Sequence, residues 1–425
     1  MRLDRKIKIG ILGMGYVGLP LAIEFSKFFK VVGFDVCSAR INQLIACNDL
    51  TKEISNKELK KLKNILFTSE SSELKSCNVF IVTVPTPVNK NNQPDLKPLT
   101  DATKQIGKVL KKNDVVIYES TVFPGATEEE CVPILEKNSR LKLNKDFFVG
   151  YSPERINPGD KKRKLTDIVK VISGSSFEAK RFINKLYKKI IPAGTIVAER
   201  IREAEAAKVI ENIQRDLNIA LINELAILFD KMNIDTEEVL KIASTKWNFQ
   251  KFSPGLVGGH CIGVDPYYLT HKAKSIGYRP EIILSGRKIN DGMSKYVIDK
   301  LLREMSTKKI KIKGSNILIM GISFKENCSD IRNSKVINIV SQLEDIGCNV
   351  VVYDPWVDSS QIKNNFNITL TNKIKDNFFD AVVVAVKHDV FKKIGIKKIR
   401  KFGRKKSVIF DLKYLLKKNE VDIRL

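Results

Sequence analysis

Short apolar runs, each followed by polar or proline residues, recur along the first half of the chain. Residues 7–12 alternate and then run apolar, as a buried parallel strand does. A glycine turn and a predicted helix follow, and further runs lie at 31–35, 79–87, 114–125 and 147–159. Because helical patterns separate several of these runs, we expect a doubly wound α/β domain, which reaches to about residue 197 and carries its functional loops at the carboxyl ends of the strands.

The middle of the chain has a different pattern. The stretch 203–232 contains neither Gly nor Pro, and its apolar residues recur at helical spacing. It predicts one long helix, and shorter helical patterns follow to about residue 305. A long helix in this position suits an interdomain and dimer core; the alternative is a monomeric helical cap.

From Gly314 the α/β alternation returns. The apolar runs lie at 315–327, 349–357, 380–391 and 407–412, with a helix near 335–346, and no G-x-G-x-x-G turn accompanies them. The predicted fold class is therefore α/β, with two doubly wound Rossmann-like domains joined by a central helical domain. We expect an N-terminal Rossmann domain at 1–200, a central helical dimerisation domain at 201–307 and a C-terminal Rossmann-like domain at 308–425.

Charge changes this picture little. The chain has 425 residues and a formal net charge of +26, but its lysines are scattered and come with much Ile and Asn, which favours a coding bias. Such a field would attract an anionic small molecule. The alternative is a non-catalytic protein that binds nucleic acid or an anionic membrane surface. The sequence lacks a basic cluster with interleaved aromatic residues, so we expect it to bind neither nucleic acid nor a membrane.

Cysteine usage and hydropathy indicate the compartment. The seven cysteines are odd in number and far apart, and no C-x-x-C pair occurs, so reduced thiols in the cytoplasm fit better than a disulfide framework. Basic residues followed by an apolar stretch at the N-terminus resemble a signal peptide, but Glu24 interrupts that stretch. No run of 18 uncharged apolar residues occurs, so no transmembrane helix is predicted.

The segment GMGYVG, with Gly13, Gly15 and Gly18, follows the first predicted strand and opens a helix. Its glycines permit a tight turn and let backbone N–H groups approach a pyrophosphate. Asp35 ends the second strand, where a carboxylate binds both ribose hydroxyls and favours NAD over NADP; Arg40 nearby could instead accommodate a 2′-phosphate. The pattern predicts an NAD site, against a glycine-rich packing turn.

Two further strand ends and one helix face carry candidate polar groups. Thr86 and Thr121 follow proline-stiffened strand ends, and Glu154 and Arg155 lie between two prolines as a possible base and phosphate ligand, or as a mutual salt bridge. On the long helix, four polar side chains fall within roughly an 80° arc, at about 100° per residue, and form either a functional face or a solvated one. They are Glu205, Lys208, Asn212 and Arg215.

Cys261 lies in the glycine-rich segment 252–269. Glycines bring backbone donors close to a thiolate, and Asp265 could handle protons, so a nucleophile is one interpretation. A buried inert thiol is another. A metal site built from His260, Cys261 and Asp265 has little support, because the chain holds three histidines and no spaced ligand set, and we expect no metal.

Together these motifs resemble the UDP-glucose/GDP-mannose dehydrogenase superfamily over essentially the whole chain. The matching segments are GMGYVGLP, VPTP, EST, SPERINPG, EAAKVIEN, GGHCIGVDPYYL and SFKENCSDIRNS. The resemblance implies an NAD-binding domain, a central helical domain and a C-terminal domain for the nucleotide sugar. Within the superfamily, SPERINPGD, QRDLNIALINELA and GGHCIGVDPYYLTHKA are similar to the branch that acts on UDP-N-acetylhexosamines, most closely on UDP-N-acetylglucosamine in capsule synthesis.

The resemblance implies a four-electron oxidation at carbon 6 with two NAD⁺, through a thiohemiacetal and a thioester on Cys261. Lys208 and Asn212 would stabilise the oxyanion, Glu154 or Asp265 would activate water, and Thr121 would lie near the reacting carbon. The implied cofactor positions are Gly13, Gly15, Tyr16, Val17, Gly18, Asp35, Arg40, Thr86, Thr121 and Arg332. The implied substrate positions are Glu154, Arg155, Ile156, Lys208, Asn212, Arg215, Gly258, Phe324 and Lys325.

Several alternatives remain open. The hexosamine could be UDP-N-acetylgalactosamine or UDP-N-acetylmannosamine, and UDP-glucose is a further candidate. His260 and Ile262 beside the cysteine fit an acetamido sugar. A simple two-electron alcohol dehydrogenase is the rival enzyme, in which Cys261 would be dispensable. The expected partners are a UDP-sugar and further copies of this chain, as a homodimer or higher oligomer.

Overall fold

The computed structural model describes residues 6–51, 53–89, 91–155 and 164–425. Its first sheet has six parallel strands in the order β3-β2-β1-β4-β5-β6, the doubly wound order in which ligands bind where the strand order reverses. The elements are β1 Lys8–Leu12, α1 Gly18–Ser26, β2 Lys30–Phe34, α2 Ser38–Ile45, α3 Asn56–Leu59, β3 Ile65–Thr68, β4 Val79–Val82, α4 Lys97–Val109, β5 Val115–Tyr118, α5 Val132–Ser139 and β6 Phe148–Tyr151.

A parallel strand pair and a helix complete this part of the chain. They are β7 Lys170–Ile172, α6 Phe177–Lys188 and β8 Thr195–Val197. The central strands read as unbroken apolar runs because helices cover both faces of the sheet. Ile9 and Ile11 of β1 are fully buried, and Phe25 of α1 packs edge-on against Tyr187 of α6 with 5.5 Å between ring centroids.

The central region is helical, as its spacing predicts. The helix α7 runs from Ile201 to Lys231, 31 residues or about 46 Å at 1.5 Å per residue. It is followed by α8 Thr236–Ala243, α9 Asp265–Ser275 and α10 Glu281–Thr307.

The second sheet has five parallel strands in the order β10-β9-β11-β12-β13. Its elements are β9 Asn316–Met320, α11 Lys335–Asp345, β10 Asn349–Tyr353, α12 Ser359–Phe366, β11 Phe379–Val384, α13 Asp389–Phe402, β12 Gly403–Asp411 and β13 Ile423–Arg424. One face of this sheet packs against α10 and α11, through residues such as Leu301 and Leu343. The predicted fold class, two Rossmann-like domains and a helical region, is confirmed.

The chain forms two compact units. One holds residues 1–211 with 267–278, and the other holds 212–266 with 279–425. The first contains the six-stranded sheet and the second contains the five-stranded sheet. The three domain limits expected from the sequence stay a prediction. In the described ranges, no helix combines the length and the apolar character needed to cross a membrane.

Candidate active site

The glycine turn joins β1 to α1. Gly13 has a φ of 100°, in the region that favours glycine, and a Cβ on Gly18 would stand 1.8 Å from the carbonyl oxygen of Gly13. A Cβ on Gly15 would meet no protein atom within 4 Å, so the backbone is open to a ligand there. Tyr16 and Val17 complete the turn, with Val17 directly before α1. This geometry fits a pyrophosphate bound at a helix N-terminus.

Asp35 lies directly after β2 and braces the glycine turn. Its Oδ2 accepts the N–H of Met14 at 2.8 Å, and its Oδ1 accepts the N–H of Cys37 at 2.9 Å. The guanidinium of Arg40 donates to the carbonyl of Met14 at 2.8 Å and pairs with Asp49 at 2.8 Å. The carboxylate of Asp35 therefore sits where this fold binds a ribose, and its charge would repel a 2′-phosphate.

Thr86 and Thr121 lie beyond the carboxyl ends of β4 and β5. The hydroxyl of Thr86 donates to the carbonyl of Thr121 at 2.7 Å, and the hydroxyl of Tyr268 donates to the carbonyl of Thr86 at 2.8 Å. The structure thus brings the two predicted threonines together at the edge of the sheet where ligands bind. Tyr268 lies in the glycine-rich segment 252–269, but no sequence pattern marked it as a site residue.

Glu154 belongs to a buried cluster of charges. The ammonium of Lys170 donates to Glu154 at 2.5 Å and to Glu119 at 2.6 Å, and the hydroxyl of Tyr187 donates to Glu119. Burial raises the pKa of Glu119 to about 7, although the charge of Lys170 opposes it. Burial would lower the pKa of Lys170, but its two carboxylate partners raise it. Sequence reasoning missed Lys170, which reads as an ordinary strand residue.

The guanidinium of Arg155 docks on the helix α7. It donates to the carbonyls of Lys208 at 3.2 Å and Ala207 at 3.0 Å, and it pairs with Glu211. A mutual salt bridge with its neighbour Glu154 is therefore wrong as an interpretation. The predicted substrate residue Ile156 lies outside the described residues.

Three of the four polar side chains on the α7 face are buried. Glu205 is fully buried, Lys208 and Asn212 are 6% and 5% exposed, and Arg215 is exposed. A solvated face is therefore wrong for the first three. Glu205 accepts the backbone N–H groups of 125 and 127, at 2.5 and 2.9 Å, so it fixes the loop after β5. Burial raises its pKa to about 7, against those bonds.

Cys261 is exposed, so the buried inert thiol is ruled out. Burial raises the pKa of Cys77 to about 11 and that of Cys131 to about 12, which marks those two as packing residues. The carbonyl of Cys261 accepts the N–H of Asp265 at 2.9 Å, in the turn that leads into α9. Asp265 is 1% exposed and accepts the side-chain amide of Asn212 at 2.6 Å. The structure thus joins two of the predicted catalytic residues directly.

The glycines before Cys261 pack tightly. Gly259 has a φ of 82°, and a Cβ there would stand 2.8 Å from the ring of Phe324. A Cβ on Gly258 would stand 2.7 Å from the carbonyl oxygen of Asn333. Real Cβ atoms do not approach other atoms so closely, so both positions require glycine. The predicted substrate residues Gly258 and Phe324 are therefore neighbours.

Polar bonds also tie this segment to residues 330–333. His260 bonds Asp330 at 3.2 Å through Nε2, and the amide of Asn333 donates to the carbonyl of Gly259 at 3.1 Å. Arg332 pairs with the same Asp330 at 2.7 Å. His260 is thus bonded to Asp330, and in the described part of the chain no group of three or more His, Cys, Asp and Glu residues could hold a metal ion.

Lys413 is a candidate residue that sequence reasoning missed. It lines a cavity of about 120 Å³ together with residues 253–256, Ile219 and Tyr414. Burial lowers the pKa of its ammonium; the charge of Glu326 opposes this shift, and that of Lys387 adds to it. Its segment, DLKYLL, follows β12, so the strand-end position was the signal that could have identified it.

The strand order, the glycine turn and the acidic residue after β2 define a dinucleotide-binding protein of the Rossmann class, and Cys261 supplies an exposed thiol. Sequence profiles of three domains match: the NAD binding domain at 7–191, the central domain at 202–292 and the UDP binding domain at 318–418. The chain belongs to the UDP-glucose/GDP-mannose dehydrogenase family and is an NAD-dependent nucleotide-sugar dehydrogenase.

Individual relatives are similar over their full length. The chain is 54% identical to a UDP-N-acetyl-D-glucosamine 6-dehydrogenase of Salmonella typhi over 99% of both chains. It is 56% identical to one of Pseudomonas aeruginosa over 99% of this chain and 100% of that protein. The solved structure of a UDP-D-ManNAc dehydrogenase from Pyrococcus horikoshii matches with a TM-score of 0.89 and 31% identity, over 98% of each chain.

Proposed function

We propose that the protein oxidises carbon 6 of UDP-N-acetylglucosamine to the uronic acid. Two bacterial relatives that are more than half identical to this chain bear the name of that substrate. The observation that carries the proposed chemistry is the exposed Cys261, one helical turn before the buried Asp265–Asn212 pair. UDP-N-acetylgalactosamine, UDP-N-acetylmannosamine and UDP-glucose are the competing substrates.

The proposed reaction removes four electrons in two steps. The residues Gly13–Gly18 and Asp35 would hold the dinucleotide, and NAD⁺ bound there would supply the hydride acceptor for each of the two steps. The first oxidation turns the primary alcohol into an aldehyde and releases a proton, which Lys208 transfers. The Cys261 thiolate then adds to the aldehyde carbon and forms a thiohemiacetal, whose oxyanion Lys208 and Asn212 stabilise.

The second oxidation turns the thiohemiacetal into a thioester on Cys261. Water attacks the thioester carbonyl, the carbon–sulfur bond breaks, and the uronic acid leaves while the thiolate is restored. We assign water activation to Asp265 rather than to Glu154. Asp265 is buried beside Asn212 in the turn that follows Cys261, whereas Glu154 lies in the buried cluster with Lys170 and Glu119.

The nucleotide is assigned to the second compact unit. Phe324 and Lys325 lie in the loop after β9, and Lys413 presents a cation in the cavity beside Gly255. Ammonium groups bind phosphate oxygens well, so Lys413 and Lys325 are the proposed ligands of the pyrophosphate. Arg155, Ile156, Arg215 and Gly258 remain proposed substrate contacts, and Thr86, Thr121 and Arg332 remain proposed cofactor contacts.

The test measures NADH formed from five sugar nucleotides in parallel: UDP-N-acetylglucosamine, its galacto and manno epimers, UDP-glucose and GDP-mannose. We expect two NADH per UDP-N-acetylglucosamine and no uronic acid from Cys261→Ala. The matched control Cys47→Ala removes a partly exposed thiol of the first unit and keeps full activity. One NADH per sugar would establish the two-electron alcohol dehydrogenase instead, and wild-type acid formation by Cys261→Ala would rule out the thioester route.

We further propose that the protein is a homodimer. Leu221 and Leu228, seven residues apart on one face of α7, are about half exposed, and Trp247 is 98% exposed. An exposed apolar surface of this kind suits a second copy of the chain. Light scattering after size exclusion should find a dimer for the wild type and a monomer for Leu228→Glu. A monomeric wild type would contradict the proposal.

No disulfide joins the seven cysteines, all of which the structure describes, and this supports a cytoplasmic location, where thiols stay reduced. The product, a UDP-linked uronic acid, is a building block for a glycosyltransferase, and we propose capsule or surface polysaccharide synthesis as its use. Quantifying this UDP-uronic acid in cell extracts with and without the protein tests the assignment.

A further inference from the structure

The loop 322–327 follows β9 and carries the proposed substrate residues. A buried carboxylate from the neighbouring strand end holds its beginning. Asp354 Oδ2 accepts the backbone N–H of Ile322 at 2.8 Å and that of Ser323 at 3.1 Å, and its other oxygen accepts the N–H of Trp356 at 2.9 Å. These bonds fix where the loop leaves the sheet.

A buried histidine holds the other end of the same loop. His388, directly before α13, is fully buried, and its Nδ1 accepts the backbone N–H of Asn327 at 2.9 Å. The side chain of Asn327 is bonded in turn to Asp389, donating to its carboxylate at 2.9 Å and accepting its N–H at 3.1 Å. The end of the loop is thus bonded to the start of α13 through three hydrogen bonds.

The first of these bonds fixes the tautomer of the histidine. Because Nδ1 accepts a hydrogen bond, the ring proton lies on Nε2. Nε2 lies 3.2 Å from Asp354 Oδ2 and 3.3 Å from the hydroxyl of Ser323. Burial alone would raise the pKa of Asp354, but its bond from His388 and its backbone bonds lower it. One imidazole therefore connects both ends of the loop.

The loop also touches the segment that carries the nucleophile. The ring of Phe324 occupies the space beside Gly259, two residues before Cys261. Lys325 Nζ lies 5.4 Å from the centroid of the same ring. A displacement of the loop would therefore move Phe324 and Lys325 together and loosen the packing of Gly259.

We infer that His388 is a positioning residue for the nucleotide sugar: its Nδ1 acceptor holds the loop 322–327 in the conformation that binds the UDP moiety. This inference rests on the proposed assignment of Phe324 and Lys325 to the substrate. His388 itself is fully buried, so it is not a ligand of the substrate. It acts through the backbone N–H of Asn327.

The physical argument concerns the population of loop conformations. Without the Nδ1 acceptor, the N–H of Asn327 has no partner in the present conformation, and conformations that expose it to water gain weight. The apparent dissociation constant rises as the competent fraction falls. Removing the Nδ1 acceptor should therefore weaken the binding of the UDP-sugar and leave the affinity for NAD⁺ unchanged.

Two substitutions separate the two ring nitrogens. In His388→Asn the side-chain oxygen takes the place of Nδ1 and keeps the acceptor for Asn327. In His388→Gln the terminal amide takes the place of Nε2 and keeps only the donor to Asp354. We expect His388→Gln to raise the KM for UDP-N-acetylglucosamine and the Kd for UDP about tenfold, and His388→Asn to raise them less than about threefold.

The control is Ile399→Ala, a buried core position of α13 remote from the loop. It should lower the Tm at least as much as His388→Gln does, and it should leave the KM for UDP-N-acetylglucosamine and the KM for NAD⁺ unchanged. Wild-type affinity in His388→Gln, equal losses in the Gln and Asn variants, or a loss in Ile399→Ala would each overturn the inference. The Kd for UDP, from calorimetry on the full-length protein, separates the two hypotheses: a wild type that binds UDP but forms no NADH contradicts the proposed function alone.

Discussion

Asn212 donates its side-chain amide to Asp265 at 2.6 Å, and both residues are almost completely buried. Asn212 comes from α7, and Asp265 is the first residue of α9, in the turn that follows Cys261. The bond holds the proposed oxyanion donor and the proposed base in one arrangement. A carboxylate in this place can activate a water molecule only while its charge is preserved.

The first prediction concerns that charge. Asp265→Asn should lower kcat about 100-fold, because a neutral amide cannot take the proton of the attacking water. The thioester on Cys261 should then accumulate and appear as a covalent adduct in intact-protein mass spectrometry. Glu154→Gln is the matched control and should accumulate none. An adduct in Glu154→Gln but not in Asp265→Asn would transfer the role of base to Glu154.

The second prediction concerns the glycine beside Phe324. Gly259→Ala should lower kcat at least about tenfold, because its Cβ would stand 2.8 Å from that ring and displace the segment of Cys261. Gly277→Ala is the control, since its φ of 79° is similar but its Cβ would meet nothing within 4 Å. Both variants carry a backbone strain of about 1 kcal/mol. Equal activity in the two variants would show that the contact with Phe324 is unimportant.

The third prediction concerns cofactor choice. Asp35→Ser should raise the KM for NAD⁺ about tenfold and narrow the preference over NADP⁺, because the carboxylate that binds ribose hydroxyls and repels a 2′-phosphate is gone. Initial rates with both dinucleotides measure this. The KM for the UDP-sugar serves as the internal control and should stay constant. An unchanged ratio of the rates with NAD⁺ and NADP⁺ would show that Asp35 does not select the cofactor and serves only to bond the backbone of the glycine turn.

The fourth prediction concerns the buried ammonium of Lys170. Lys170→Met leaves Glu119 and Glu154 without their cation and should cost about 3–5 kcal/mol of stability at neutral pH. Lys185→Met, an exposed position on α6, should cost little. Urea unfolding followed by circular dichroism measures both. Equal stability of the two variants would contradict a structural role for the cluster.

The same cluster predicts how the stability of the folded protein changes with pH. The pKa of Glu119 is about 7 in the folded protein, against an ordinary value of 4.5. A raised folded pKa means that the folded state binds the proton more tightly, so this contribution is full below about 4.5 and is lost as the pH rises to about 7. Lys170→Met should show a steeper loss between pH 5 and 8 than the wild type. A flat profile in the variant would show that the carboxylates find another cation.

Much of the fold follows from local patterns. The apolar runs, the Gly- and Pro-free stretch and the return of alternation predict β1, β2, α7 and the second sheet, because burial on both faces leaves a continuous apolar signal. The edge strand β3 escaped this reasoning, since an edge strand is only partly covered and its residues 65–68 are mostly half-buried.

The site could be predicted by residue type but not by partner. One interpretation of the sequence was a salt bridge between Glu154 and Arg155. In the structure the Glu154 carboxylate pairs with Lys170, and the Arg155 guanidinium pairs with Glu211. Both partners are distant in the chain. Such pairings depend on the crossover connections of the sheet, and no periodicity encodes them. Lys413 follows a predicted strand end, which could have marked it as a candidate, but only the folded chain places it beside Gly255.

The contact between Phe324 and Gly259 constrains any redesign of substrate preference. A side chain exchanged at 324 to fit another nucleotide also alters the support of the backbone two residues before Cys261. A smaller residue at 324 would relieve the steric contact of an alanine at 259, which would then keep only the strain of its positive φ, so the two positions should be varied as a pair. A change that reshapes the nucleotide pocket at Phe324 therefore also changes the position of the nucleophile.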